Sequence, residues 1–201
     1  MAASLAQDDE GERRSLDDDE EEWRAPFGND GEDDRSLAPF ATTPPARIVE
    51  MIQMAKVGKE DVVCDLGAGD GSVLSLCWEH CKASRAIGFE INNDLVQTAQ
   101  QTLRDVGCPA SYSIVNQDVM TVDLSPFTVI FTWLQPWAVD MLAEKLADAI
   151  ATHGARVVSY QWPIAHLGRS FHESVGVTEN MYLYQREAPS GGDETAATTE
   201  R

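Results

Sequence analysis

The sequence predicts an α/β fold in which a mostly parallel sheet carries helices on both of its faces. Short apolar runs typical of strands alternate along the chain with segments whose apolar residues recur at helical spacing. This repeated β-α-β order implies parallel strands, because right-handed crossovers place the connecting helices on the faces of the sheet. The last two β-rich segments have no helix between them, so we expect an antiparallel hairpin at the sheet edge.

The elements begin with a predicted helix over residues 46–56, whose start is marked by Pro44 and Pro45. Apolar, β-prone runs predict five strands, at residues 62–66, 85–90, 111–116, 127–134 and 155–160. Helical spacing predicts three further helices, at residues 72–81, at residues 94–106, and from Pro136 to a glycine stop at Gly154. The predicted hairpin comprises residues 169–177 and 180–187.

The spacing of the apolar residues also predicts which side of the two longer helices is buried. In the segment 94–106, the residues predicted to face inward are Leu95, Ala99, Thr102, Leu103 and Val106. In the helix that begins at Pro136, they are Val139, Leu142, Leu146 and Ala149.

Charge is distributed unevenly along the chain. The 201 residues include 15 Lys plus Arg and 34 Asp plus Glu, a net charge of −19. Residues 1–38 hold 14 acidic and 4 basic residues, with six consecutive acids at 17–22 and few large apolar residues. We therefore expect an acidic disordered tail over residues 1–38, one folded domain over residues 39–187, and a disordered tail over residues 188–201.

Composition opposes several classes of protein. The negative charge opposes nucleic-acid binding by phosphate neutralisation, and no apolar run approaches the roughly 20 residues of a membrane-spanning helix. Residues 1–14 lack the features of a signal or transit peptide, so we expect a soluble protein of the cytoplasm or nucleus rather than the mitochondrion. Cys77 and Cys81 flank His80, but no second ligand pair follows, so we predict no metal site and no disulfide framework.

The first predicted strand runs into the glycine-rich sequence Asp65-Leu66-Gly67-Ala68-Gly69-Asp70-Gly71. Glycines allow a ligand to approach the backbone closely, and the helix start that follows supplies unpaired N–H donors. The spacing is G-x-G-x-G, whereas the dinucleotide fingerprint requires a glycine at the position of Ser72. Asp65 and Asp70 disfavour a pyrophosphate here and favour a ligand with an ammonium or sulfonium group.

Acidic residues also follow the next two predicted strands. Glu90 ends the second strand, where a carboxylate can accept hydrogen bonds from both hydroxyls of a ribose. Asp118 follows the third strand and could accept a hydrogen bond from the exocyclic amine of adenine, with Val119 against the face of the ring. Each acid alone is also explained as a solvated carboxylate or a helix cap. Together with the glycine loop, they predict a site for an adenosine-containing cofactor.

These residues resemble the motifs of the class I, seven-β-strand, S-adenosylmethionine (SAM)-dependent methyltransferases. Residues 65–71 match the first motif, Glu90 the ribose-binding acid and Asp118 the adenine-contacting acid. The resemblance implies a Rossmann-like, doubly wound sheet of seven strands whose last strand is antiparallel, and SAM as the cofactor. The implied cofactor-binding residues are Thr43, Asp65, Gly67, Gly69, Asp70, Gly71, Glu90, Asp118, Val119 and Leu134.

Further segments resemble a small group of protein-lysine methyltransferases, which includes mitochondrial enzymes that modify ATP synthase and carrier proteins, and archaeal relatives. These segments are residues 38–45, 88–92, 134–136, 154–159 and 162–163. The resemblance implies methyl transfer to a lysine of a protein substrate. We expect a monomer with no nucleic-acid partner.

Methyl transfer from a sulfonium mainly requires that the amine lone pair be held close and in line. An apolar or aromatic slot assists the loss of the lysine proton, because it disfavours the charged form. We place this slot after the fourth strand, where Trp133 and Trp137 could line a lysine channel by cation–π contact and Gln135 could position the amine. Alternatively, Gln135 is a helix-cap residue, and both tryptophans, like Trp162, pack in the core.

Three alternatives to a lysine methyltransferase stay open. The acceptor could be another nitrogen, in a small molecule or RNA, although residues 39–187 hold 17 acidic against 10 basic residues. The domain could also bind SAM without transferring a methyl group. An NAD-dependent oxidoreductase is opposed by the glycine spacing.

Overall fold

The strands and helices that the sequence predicts are present, with boundaries that differ by a few residues at most. The computed structural model describes residues 42–164, 166–168, 171–175 and 180–187. The strands are β1 (Val62–Leu66), β2 (Arg85–Glu90), β3 (Tyr112–Asn116), β4 (Val129–Thr132), β5 (Arg156–Tyr160), β6 (His172–Val175) and β7 (Met181–Gln185). The α-helices are α1 (Pro45–Met54), α2 (Ser72–His80), α3 (Asn93–Asp105) and α4 (Pro136–His153), and a 3₁₀ helix spans Val119–Thr121.

All seven strands belong to one sheet, in the order β3-β2-β1-β4-β5-β7-β6. β1 pairs in parallel with β2 on one side and with β4 on the other, and β3 and β5 extend the parallel arrangement outward. β7 runs antiparallel to both β5 and β6, which confirms the predicted hairpin. The carboxyl ends of β1 to β5 therefore meet at one edge of the sheet, where ligands of such folds bind.

Apolar side chains on the two faces of the sheet form two clusters. One cluster joins strand residues such as Val63 and Phe131 to α1, α2 and α3, and the other joins Ile130 and Val157 to α4. Pro136 occupies the first turn of α4, and Gly154 ends this helix in a left-handed conformation at φ 73°. All four residues predicted to face inward on α4 are buried.

The buried side of α3 differs from the predicted one. Val96 is buried together with Ala99 and Leu103, whereas Leu95, Thr102 and Val106 are only half-buried. Thr102 donates its hydroxyl to the carbonyl oxygen of Thr98, 3.2 Å away, so its polar group is satisfied within the helix surface. The prediction was wrong because two apolar residues, at 95 and 96, compete for the inner face, and the sheet contact favours the second.

The predicted tails, residues 1–38 and 188–201, lie outside the described residues. Within the described ranges, no helix is long and apolar enough to cross a membrane. The four cysteines Cys64, Cys77, Cys81 and Cys108 form no disulfide with one another. Among the residues with a described structure, no group of three His, Cys, Asp or Glu could hold a metal ion.

Candidate functional site

The glycine loop lies across the carboxyl end of β2. The backbone N–H groups of Gly67 and Ala68 both donate to the carbonyl oxygen of Phe89, at 2.9 and 3.0 Å. Gly67, Gly69 and Gly71 have φ values of 85°, 52° and 80°, a conformation that side chains disfavour. The alternate spacing of the glycines thus matches a backbone that turns left-handed at every second residue.

Two of these glycines also have close neighbours where a side chain would begin. A Cβ atom on Gly71 would lie 3.0–3.1 Å from the Cα, Cβ and carbonyl oxygen of Ala99 in α3. A Cβ atom on Gly67 would lie 2.8 Å from a methyl carbon of Leu134. The segment that follows β4 therefore places Leu134 beside the glycine loop, and its assignment as a cofactor contact stays a prediction.

Glu90 connects the glycine loop to the end of β2. Its Oε2 accepts a hydrogen bond from the backbone N–H of Gly69 at 3.0 Å, and its Oε1 accepts one from the N–H of Asn92 at 2.9 Å. The side chain is 8% exposed. Each carboxylate oxygen keeps a further lone pair after accepting one hydrogen bond. Glu90 can therefore hold the loop in place and still accept ligand hydroxyls.

Asp118 caps the 3₁₀ helix that follows β3. Its Oδ1 accepts a hydrogen bond from the N–H of Met120 at 2.9 Å, and its side chain is half-buried. Val119, directly after it, is buried. The cap interpretation and the ligand interpretation of Asp118 are compatible, because the cap uses only one of its two oxygens.

The site is strongly acidic. Burial, followed by repulsion from Glu90 and then from Asp70, raises the pKa of Asp65 well above its usual value. Ion pairs within the described part of the chain join Arg47 to Glu50 and Arg156 to Asp61, so none of them neutralises these three carboxylates. A cationic ligand would relieve this repulsion, which fits the predicted ammonium or sulfonium group.

Two aromatic side chains meet at the carboxyl ends of β4 and β5. The ring centroids of Trp133 and Tyr160 are 5.2 Å apart, with ring planes inclined at 68°. Both side chains are half-buried. Tyr160 was missed at the sequence level, although an aromatic residue at the carboxyl end of a strand is a detectable signal. The pairing of β4 with β5, which sequence alone does not give, brings Tyr160 to Trp133.

Gln135 occupies the cap position of α4 through its backbone only. Its carbonyl oxygen accepts from the N–H groups of Ala138 and Val139, whereas its side chain makes no capping hydrogen bond. The half-buried amide is thus left for another role. One residue into the helix, Trp137 is 52% exposed, so the core-packing interpretation is wrong for this tryptophan.

The remaining predicted positions are less closely tied to the loop. Asp70 accepts a hydrogen bond from the N–H of Ser72 at 3.1 Å, within the turn that leads into α2. Thr43 is half-buried just before α1, and its assignment as a cofactor contact stays a prediction. Trp162 is half-buried, and its carbonyl oxygen accepts from the Ser159 hydroxyl at 2.6 Å.

Two curated proteins are similar in sequence to this chain. The first is a protein-lysine N-methyltransferase from Saccharolobus islandicus, 32% identical over 126 residues, which cover 63% of this chain and 78% of that protein. The second is the mouse adenine nucleotide translocase lysine N-methyltransferase, 33% identical over 119 residues, or 59% of this chain. The match to the mouse protein spans about half of that protein, 51%.

A solved structure and a family model extend these similarities. An RNA methyltransferase from Salinibacter ruber, crystallised with S-adenosyl-L-homocysteine, superimposes with a TM-score of 0.64 at 27% identity, covering 77% of this chain and all of that one. The model of the ANTKMT methyltransferase domain matches residues 65–170, from the acid that opens the glycine loop to the segment after β5. With more than half of its length matched, this chain belongs to the ANTKMT methyltransferase domain family.

Proposed function

We propose that this protein is a SAM-dependent protein-lysine N-methyltransferase. The observation that carries the proposal is the arrangement at the sheet edge. The buried acids Asp65 and Glu90 make no ion pair with a cation among the described residues and lie beside a glycine loop, and an aromatic pair lies at the neighbouring strand ends. The proposal is supported by two relatives that are both named lysine N-methyltransferases. The structural neighbour that holds S-adenosyl-L-homocysteine supports SAM as the cofactor.

The residues present fit SAM. We assign Glu90 to the ribose hydroxyls, Asp118 to the adenine amine, and Val119 and Leu134 to the apolar walls of the adenosine site. Asp65, buried and repelled by its acidic neighbours, is suited to the cationic end of the molecule. Bound here, SAM supplies a methyl group on a sulfonium, so the protein needs neither a nucleophile of its own nor an acid for the leaving group.

The protein must then keep a lysine amine deprotonated and hold it in line with the bond between the sulfonium and its methyl group. We assign the contacting pair Trp133 and Tyr160 to one wall of the lysine slot, because burial of the amine against these rings, away from water, disfavours the charged ammonium. The uncommitted amide of Gln135 is placed to orient the amine through its oxygen. Holding two reactants in the productive geometry can lower the barrier substantially, because the entropy of bringing them together is lost on binding and not in the reaction step.

RNA is the second candidate acceptor, because the similar Salinibacter structure is described as an RNA methyltransferase. The charge of the domain argues against it. Residues 39–187 carry 17 acidic and 10 basic residues, and a protein that binds RNA through its phosphates needs the opposite balance. We therefore favour a protein acceptor.

Two measurements test the proposal. Calorimetry should detect SAM binding to the wild type, with weaker binding to Glu90→Ala and unchanged binding to Glu60→Ala, a matched substitution of an exposed acid outside the site. The protein is then incubated with labelled SAM and a cell lysate, and mass spectrometry locates the label. Label on protein lysine supports the function. Label on RNA or small molecules with none on lysine, or SAM binding without any transfer, would refute it.

A further inference from the structure

A row of exposed side chains runs along the outer side of α4. Trp137, Asp140, Met141 and Glu144 are spaced at i, i+3, i+4 and i+7, so they share one side of the helix. We call these four residues the α4 stripe. Trp137 is 52% exposed and Met141 56% exposed, and the other large apolar residue exposed in the described ranges is Val115, at 37%. Adjacent exposed apolar side chains of this size mark an interaction surface more often than isolated ones do.

The α4 stripe begins at the proposed acceptor end of the site. α4 starts at Pro136, directly after Gln135 and a few residues after Trp133. Trp137 therefore lies in the first turn of the helix. At a rise of about 1.5 Å per residue, Glu144 lies roughly 10 Å further along the helix axis. A protein segment that places a lysine beside the contacting rings of Trp133 and Tyr160 could therefore continue over the stripe.

The charge of the α4 stripe is negative and unpaired. Asp140 and Glu144 are both exposed, and neither side chain makes an ion pair or a hydrogen bond with another described residue. The neighbouring cation, Lys145, is used elsewhere: its Nζ donates to the carbonyl oxygens of Met120 and Val122 at 2.7 and 2.6 Å. The stripe therefore presents an apolar ridge flanked by two carboxylates.

We propose that the α4 stripe docks the protein substrate, and that the docked segment carries apolar and basic residues beside the target lysine. This inference rests on the proposed function, because it needs a lysine acceptor at the site. An apolar ridge binds an apolar side chain, and the two carboxylates attract Lys or Arg neighbours. A segment around a methylated lysine in a basic protein region has this chemistry.

The test uses the acceptor protein that carries most lysine label in the lysate experiment, assayed at concentrations that span its KM. Trp137→Ala and the double variant Asp140→Lys/Glu144→Lys should each raise KM about tenfold or more, as loss of a central contact residue does. SAM affinity should stay at the wild-type value and kcat should change less than twofold. Raising the salt concentration should raise the wild-type KM more than that of the charge-reversed variant.

The matched controls are Val115→Ala, which removes an exposed apolar side chain on β3, and Glu60→Lys, which reverses an exposed acid elsewhere. Both should keep the wild-type KM. Thermal melting by circular dichroism should show that all variants fold, since the substituted side chains are exposed.

The outcomes separate the two proposals. If lysine is labelled but the stripe variants keep the wild-type KM, the docking proposal is wrong and the proposed function stands. If light scattering shows a dimer that Trp137→Ala dissociates, the stripe binds a second copy and the docking proposal is again wrong. If SAM binds and no lysine in the lysate is labelled, the proposed function itself fails.

Discussion

Replacing Gly71 by alanine should destabilise the protein through two separable effects. The φ of +80° disfavours any side chain, which contributes about 1–2 kcal/mol. The new Cβ would also lie 3.0–3.1 Å from atoms of Ala99, two of which are backbone atoms that cannot rotate away. Overpacking of this kind contributes about 1–3 kcal/mol. We therefore expect Gly71→Ala to lower the free energy of unfolding by roughly 2–5 kcal/mol.

Gly107 provides the matched control for this prediction. Its φ is +69°, and a Cβ atom there would meet nothing within 4 Å, so Gly107→Ala should show only the backbone effect, about 1–2 kcal/mol. Urea unfolding followed by circular dichroism measures both values. The difference between the variants then reports the contact between the glycine loop and α3. Because Gly71 is the N-cap residue of α2, relief of the clash should also move the loop and weaken SAM binding in this variant alone.

Equal destabilisation of Gly71→Ala and Gly107→Ala would refute the reasoning. It would mean that α2 and α3 can move apart without a cost in unfolding free energy, and that the glycine is required only by its φ. Unchanged SAM affinity in a destabilised Gly71→Ala would contradict the second step, in which the packing of the loop determines the shape of the cofactor site.

Three further predictions concern the charged and aromatic residues of the site. Glu90→Gln should weaken SAM binding and lower the unfolding free energy by about 1.5–3 kcal/mol, because one charge-assisted hydrogen bond to a backbone N–H is lost. Calorimetry measures the SAM affinity and urea unfolding measures the stability. Asp94→Asn, a substitution of an exposed acid, is the control. Asp65→Asn should bind SAM more weakly, yet be more stable than the wild type at neutral pH. The stability that Asp65 contributes is full below its unfolded pKa and is lost as pH rises through its raised folded pKa, so the two proteins should converge in urea unfolding at acid pH. Trp133→Ala should lower kcat for methyl transfer to lysine by tenfold or more while SAM affinity is unchanged. If kcat and SAM affinity fell by the same factor, the tryptophan would belong to the cofactor site instead.

The sequence predicted the elements better than it predicted how they meet. Alternation of apolar runs with helical spacing located β1, β2 and α4 closely, because each of these signals is local. The contact between Trp133 and Tyr160 depends on the order of the strands in the sheet, which no local signal specifies. For the same reason, the bond from Gly69 to Glu90 was not foreseen, although both residues were identified as parts of the cofactor site.

Side-chain direction was the second gap between prediction and structure. On α3, the adjacent apolar residues Leu95 and Val96 are equally acceptable to a helical pattern, and only packing against the sheet selects Val96. Trp137 is a large apolar residue of the kind usually found in a core. It lies on the outer side of α4, because Ala138 and Val139 already fill the inner side. Such choices depend on volume and contact rather than on periodicity.

The neighbouring acids make Asp65, the most buried carboxylate of the site, unfavourable for the stability of the free protein. Asp65 is 5% exposed, lies beside Glu90 and Asp70, and has no cation among the described residues to offset the repulsion. A fold selected for stability alone would favour an amide or an apolar residue at this position. The same repulsion becomes a source of affinity when a cationic ligand enters, since the ligand gains the attraction of Asp65 and Glu90, which are already buried before it binds. The acidity of the site therefore favours the bound state over the free one, and it selects a positively charged methyl donor over its neutral product, which assists product release.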